Sequence, residues 1–260
     1  MDDVSLRSFE QYLLGHRFAM SAREQLRRAI AERLHHEGLV DQPHFRSIRT
    51  AALELMFDYY DEHFFQGALR PLVSHRDGSI SWRFSSRMTS TGGTTTRREY
   101  QPPYPRGYRA EYEIAISSHL LFQGFADPKR PEVVSGVRCV HRTDALQRIF
   151  EHELIHLAEM LVWYDSSCAA GRFRQIAERL FGHKESTHRL PRTEDRARKE
   201  LGIRRGSRVR FDFEGHTYSG VVNRISRRAT VLVRDPGGSL YDDGHRYRKF
   251  YVPIKLLRRS

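Results

Sequence analysis

The sequence predicts an α+β protein in two parts, a helix-rich body followed by a small all-β module. Three observations carry that expectation. Apolar residues recur at three- and four-residue steps through long stretches of the first 190 residues, the spacing of helix faces. From residue 206 to 253 the pattern switches to short alternating runs broken by Gly, Pro and Asp, the spacing of strands. Charge divides at the same place: residues 191–260 hold 18 Lys and Arg against eight Asp and Glu, which is ten of the chain's twelve net positive charges.

Along the chain, residues 1–42 read as a helical segment, clearest over 24–37, with Gly38 as its stop. A second helix spans about 44–66, carries Ile48, Ala51, Ala52, Leu55, Met56 and Tyr59 on one side, and ends at Gly67. Residues 79–84 and 111–117 alternate apolar with polar and read as strands, the second through Tyr112, Ile114 and Ile116. Between them lie a Thr/Gly-rich stretch (89–96) and a Tyr/Pro/Arg loop (99–110). In that region Tyr100, Tyr104, Tyr108 and Tyr112 alternate with Arg97, Arg98, Arg106 and Arg109. The mixture suits base stacking, but Pro102, Pro103 and Pro105 favour an ordinary loop over a cleft.

Residues 144–164 form one long helix whose stripe Leu146, Ile149, Phe150, Leu154, Leu157 and Leu161 faces a core. A break at 165–168, a helix over 171–181 and a polar run 182–188 complete a domain spanning 43–190. A charged linker covers 191–203. In residues 204–260 Val209, Phe211 and Phe213 point one way and Arg208 and Arg210 the other. Glu214-Gly215 and the run 235–238 read as turns, with strands at 221–225 and 229–234. That many short strands in so short a module predicts a small, basic SH3-like β-barrel.

The chemistry-bearing run is His152-Glu153-Leu154-Ile155-His156. Residues four apart on a helix lie above one another, so both imidazoles reach one metal ion, zinc by this donor chemistry. Glu153 stands beside them as the catalytic base that takes a proton from metal-activated water. His152 and His156 fall off the apolar stripe, on a face shared with Glu159 and Trp163. Glu32/His35, Glu153/His156 and Glu185/His188 also match the ExxH spacing of di-iron bundles. That fold needs four long helices, and residues 79–139 read as strands and loops.

The chain resembles the SprT-like (Spartan-type) zinc metallopeptidases over residues 43–190. The resemblance rests on the aromatic helix ending in Gly67-Ala68-Leu69, on Ile80-Ser81-Trp82, on the strand 113–117, on the HExxH helix, and on Thr187-His188. It implies a zincin-like core, an endopeptidase activity directed by the glutamate, and substrates associated with or crosslinked to DNA. The family takes its third ligand from a His-Gly pair before an aromatic residue opening the next helix. Here that aromatic is Phe173 and the preceding residues are 168–171, without histidine. Cys168 is therefore the expected third ligand, with His183 and His188 as alternatives, His188 otherwise supporting the site from behind.

A peptide substrate would add as an extended strand along a sheet edge, beside residues 113–117. For the basic module, Arg224, Arg227, Arg228, Arg234, Arg246, Arg248 and Lys249 are the expected phosphate contacts, with DNA favoured over RNA. The alternative function is a nucleic-acid-binding protein whose metal site is structural or inert. Two cysteines are too few for a disulfide framework. The start is acidic, and no apolar run approaches the ~20 residues of a membrane span. The expectation is a cytoplasmic protein, with nucleoid association open to it.

Overall fold

The computed structural model describes every residue except 1–2, 76–77, 101–108, 126, 128, 189, 191–192 and 227. The protein is α+β and divides into two compact units, Met1–Leu190 and Pro191–Ser260. Among the described residues, no helix is long and apolar enough to cross a membrane.

In the first unit α1 (Asp3–Gly15), α2 (Met20–His36), α3 (Ala51–Phe64) and α4 (Leu69–Ser74) lead into β1 (Ser79–Ser85), β2 (Gly93–Tyr100) and β3 (Arg109–Ser117). Then follow α5 (Ser118–Gly124), the short hairpin β4 (Glu132–Val134) and β5 (Val137–Cys139), the long α6 (Arg142–Trp163), and α7 (Gly171–Ile176) running into a π-helical turn, Ala177–Phe181. The sheet order is β1-β3-β2, with β3 parallel to β1 and antiparallel to β2. One apolar core unites Phe9 and Leu13 of α1, Ile30 and Leu34 of α2, Phe57 and Phe64 of α3, Ile114 and Ile116 of β3, and Leu146, Ile149 and Leu154 of α6. The N-terminal helices therefore belong to the same core as the motif helix rather than preceding it as a separate segment.

Three details differ from the sequence reading. The second helix begins at Ala51, not 44. Arg142 donates to the carbonyls of His44 and Phe45, at 2.9 and 3.0 Å, which holds those residues in an open chain while the Phe45 ring is buried. The Thr/Gly-rich stretch contains a full strand, β2, whose Thr94-Thr95-Thr96 run is β-branched and fits a pleated edge. Because β3 is central and paired on both sides, the sheet's edges are β1 and β2, of which β2 lies against α6, so residues 113–117 cannot receive an added strand. Tyr104, Arg106 and Tyr108 lie outside the described residues.

In the second unit α8 (Thr193–Leu201) fills most of the expected linker, and Ile203 after it is fully buried. The strands β6 (Arg208–Phe213), β7 (His216–Ile225), β8 (Ala229–Leu240), β9 (Arg246–Val252) and β10 (Arg258–Arg259) form an antiparallel sheet of order β10-β6-β7-β8-β9. It is an open sheet: β9 and β10 are its two edges and do not pair among the described residues. Val209, Phe211, Val222, Val231, Phe250 and Val252 make its core, with Ile203 and Leu257. Glu214 and Gly215 both have positive φ, 50° and 79°, as a tight hairpin turn requires. Residues 235–238 are not a turn. They bulge out of β8, since Arg234 and Ser239 both lie opposite Tyr247. Asp235 stabilises the bulge by accepting the Gly237 N–H at 2.8 Å and pairing with Arg248 at 2.7 Å.

Candidate metal centre

Helix α6 runs through the middle of the first unit and is buried on nearly every side. Asp144 accepts the backbone N–H of Val140 at 2.9 Å at the helix start, where a carboxylate also suits the helix dipole. Tyr164, with φ of 61°, ends the helix in a left-handed cap. His152 and Glu153 are each 1% exposed, while His156 one turn on is half-buried, so the motif face is covered except at its C-terminal end.

The two motif imidazoles point their Nε2 atoms at one another across 3.1 Å. Two ligands at ~2.0–2.1 Å from one tetrahedral zinc stand roughly 3.3–3.4 Å apart, so a metal ion fits between these nitrogens with little movement. The tautomer of His156 is fixed from behind. Its Nδ1 lies 2.6 Å from Ser166 Oγ, Ser166 donates its proton to Glu159 Oε2 at 2.6 Å, and Arg172 donates to Glu159 Oε1 at 2.7 Å. Ser166 can then only accept from Nδ1–H, which leaves the Nε2 lone pair of His156 free for a metal. Phe173 walls the pair, its ring centroid 4.7 Å from that of His152 and 4.5 Å from that of His156.

Among the described residues, two trios hold their donor atoms within 4.8 Å of one another, His152/His156/Cys168 and His152/Glu153/His188. The first contains both motif histidines and leaves Glu153 unligated. The second would consume Glu153 as a ligand. His183 belongs to neither and is corrected as a ligand candidate. It is buried on the far side of α6, where its Nε2 meets Glu151 Oε2 at 2.9 Å. Glu151 is fully buried and also takes Arg27 at 2.7 Å, Tyr60 at 2.8 Å and Arg148 at 3.3 Å. Arg27 and His183 are thus bound into a charge network that joins α2, α3, α6 and the π-helical turn.

His188 packs against the opposite flank of the site, its ring centroid 4.1 Å from that of His152. Its Nε2 accepts the Gly93 N–H at 3.0 Å and lies 3.3 Å from Glu153 Oε1. Thr95, also on β2, donates to Glu153 Oε2 at 2.8 Å. The close approach of β2 requires glycine: a Cβ on Gly93 would stand 2.7 Å from Glu153 Oε1, and one on Gly92 would stand 2.8 Å from the His188 ring. Glu153 Oε1 and His152 Nδ1 are buried without a hydrogen-bond partner.

Burial sets the protonation states. It pushes Glu153 up to about 8, the Thr95 bond offsetting only part of the rise. It pulls His156 and His188 down to about 4, and His152 lower still, where neighbouring imidazoles add to the effect. Near neutral pH all three imidazoles are therefore uncharged, the state in which imidazole binds a metal. Thr95, Gly93, Ser166, Glu159 and Arg172 were not among the site residues expected from sequence. Glu159 alone had a readable signal, since it follows His156 by three residues on one helix face.

In the second unit the expected phosphate contacts separate. Arg224, Arg234 and Lys249 are exposed on strands, and Arg228 is exposed in the β7–β8 connection. Arg248 is committed to Asp235, and Arg246 donates to the Gly238 carbonyl at 2.9 Å. Arg227 lies outside the described residues. Comparison with known protein families, curated proteins and solved structures finds no match to this chain.

Proposed function

We propose that the first unit is a zinc-dependent endopeptidase of the SprT-like type, with a zincin-like core, and that the basic second unit, an SH3-like module, tethers it to nucleic acid. Proteins associated with or crosslinked to DNA would be its substrates. The observation that carries the peptidase reading is the convergence of His152 Nε2, His156 Nε2 and Cys168 beside a buried Glu153 that stays outside the trio. Zinc held there would polarise a scissile carbonyl and acidify a water molecule towards neutral pH.

The residues of the chain do the rest. With a cation bound beside it, the Glu153 carboxyl would return to its ionised form, and its Oε1, which has no hydrogen-bond donor, could then take the proton of an attacking water and later pass it to the leaving amine. Thr95 holds the other carboxylate oxygen, so the carboxylate presents one oxygen only. The Ser166–Glu159–Arg172 chain holds the His156 ring, and His188 keeps β2 against Glu153. An extended peptide added to the free edge of β2 would pass directly over Glu153, because Gly93 and Thr95 already touch it. Recognition through backbone bonds tolerates many side chains.

The trio His152/Glu153/His188 supports a second reading, in which a metal is held structurally and the protein only binds nucleic acid. Glu153→Gln separates the two. In the peptidase it retains stoichiometric zinc and loses cleavage of a casein or DNA-bound protein substrate. In the inert protein it loses the metal itself, because an amide is a poor replacement for a carboxylate ligand. Zinc content of Cys168→Ala and His183→Ala completes the assignment: loss in the first and retention in the second is expected.

A further inference from the structure

The register of the second unit's sheet decides which way its basic side chains face. Val209, Val222, Val231 and Phe250 point into the core, so their strand neighbours point outward. Residues directly opposite share a face. Arg208 lies opposite Val221, Val221 opposite Leu232, and Leu232 opposite Lys249, an outward row across four strands. A second outward row runs Arg224, Thr230, Tyr251. Arg258 lies opposite Arg210, and Arg234 opposite Tyr247, both pairs outward.

One face of the sheet thus gathers six basic side chains around two tyrosines. Against them stand Asp212, 3.5 Å from Arg258, and Asp243, which accepts the Tyr247 hydroxyl at 2.7 Å. Among the described residues no carboxylate pairs with Arg208, Arg210, Arg224, Arg234 or Lys249. Tyr251 is 64% exposed, although a tyrosine ring ordinarily finds cover. Arg246 and Arg248 alternate with Tyr247 and Lys249 along β9 and so fall on the other side.

We propose that this outward face is a platform for single-stranded nucleic acid, with bases stacked on Tyr251 and Tyr247 and phosphates on the surrounding arginines and Lys249. The proposal rests on reading the second unit as a nucleic-acid module and adds the face, the residues and the strandedness. Positive charge alone would suit any polyanion. The exposed ring of Tyr251, with the half-buried Tyr247 on the same face, favours a single strand, since an unpaired base offers its flat face whereas a duplex keeps its bases stacked inside. Tyr247 and Tyr251, four residues apart on one strand, stand about 13 Å apart, with Lys249 between them, which suits an extended strand whose two stacked bases are separated by one nucleotide, its phosphates near Lys249.

The test uses the full chain and fluorescence anisotropy with a labelled oligothymidylate of about 15 nucleotides and a duplex of the same length. The oligothymidylate is expected to bind more tightly than the duplex. Tyr251→Ala should weaken it roughly five- to a hundredfold, and Tyr251→Phe should restore it. Arg208→Gln with Arg210→Gln should reduce the slope of log affinity against log salt by roughly 0.7 per lost contact. Arg246→Gln with Arg248→Gln, off this face, should change little. A tighter duplex, wild-type affinity in Tyr251→Ala, or loss confined to the Arg246/Arg248 variant would each overturn the assignment. If the wild-type chain bound neither oligonucleotide at low salt, the nucleic-acid reading of the unit would fall as well.

Discussion

Glu153 combines deep burial with a carboxyl pushed up to about 8, and that has a consequence for the metal-free protein. Its folded-state value lies above its unfolded value, so the protonated form favours the fold. Its contribution is complete below the ordinary carboxylate range and is lost as pH rises through about 8. Metal-free Glu153→Gln should match the wild-type melting temperature near pH 4 and exceed it near pH 9, where the buried charge costs roughly 5 kcal/mol. An unchanged difference between variant and wild type across that range would contradict the burial argument. Gly93→Ala should displace the same carboxylate, because its Cβ would meet Glu153 Oε1 at 2.7 Å. Cleavage is expected to fall at least tenfold with zinc content unchanged. The HExxH residues were legible because four-residue spacing on a helix converts directly into geometry. Thr95 and Gly93 were not, because nothing local in a Thr/Gly stretch states which helix it will lie against.

At the scale of elements, Glu151 explains why the motif helix can be buried all round. Burial alone would raise its pKa, but Arg27 and Arg148 outweigh it and hold the carboxylate well below its usual range. Its contribution is therefore present above the ordinary carboxylate pKa and is lost as the pH falls below it. Removing one partner leaves an uncompensated buried charge, so Arg27→Met should cost about 3–5 kcal/mol by urea unfolding. Arg27→Met with Glu151→Leu should recover much of that loss. His183→Ala should also destabilise while keeping the metal, which distinguishes a structural histidine from a ligand. Sequence periodicity found α6, β1 and β3 because each has a clean apolar repeat. It missed β2, whose strand character rests on Thr and whose outer edge is unpaired, and it placed the substrate on β3 for that reason. The 235–238 bulge was misread because Asp-Pro-Gly-Gly has the chemistry of a turn, while the pairing of β8 with β9 carries the strand through it.

For the whole molecule, composition located the division of the chain and tertiary packing moved its boundary. The charge change pointed to residue 191, whereas the linker reading placed the second module's start at 204. Leu190 is buried in the first core, and Ile203 is buried in the second. The Ile203 N–H bonds to the Ala197 carbonyl at 3.0 Å, so α8 is tied to the same sheet-bearing unit. A chain ending at residue 203 would keep α8 and Ile203 without the core that buries them, exposing an apolar side chain at its terminus. A chain ending at Leu190 removes the unit whole. The shorter protein is therefore expected to be the more soluble of the two truncations, with the zinc content and the melting temperature of the first unit preserved. It also sheds ten of the twelve net positive charges. Retention on a heparin column should consequently collapse to low salt, while cleavage of a free, unfolded protein substrate persists. Salt-resistant retention by the 1–190 chain would place the polyanion contact on the first unit instead.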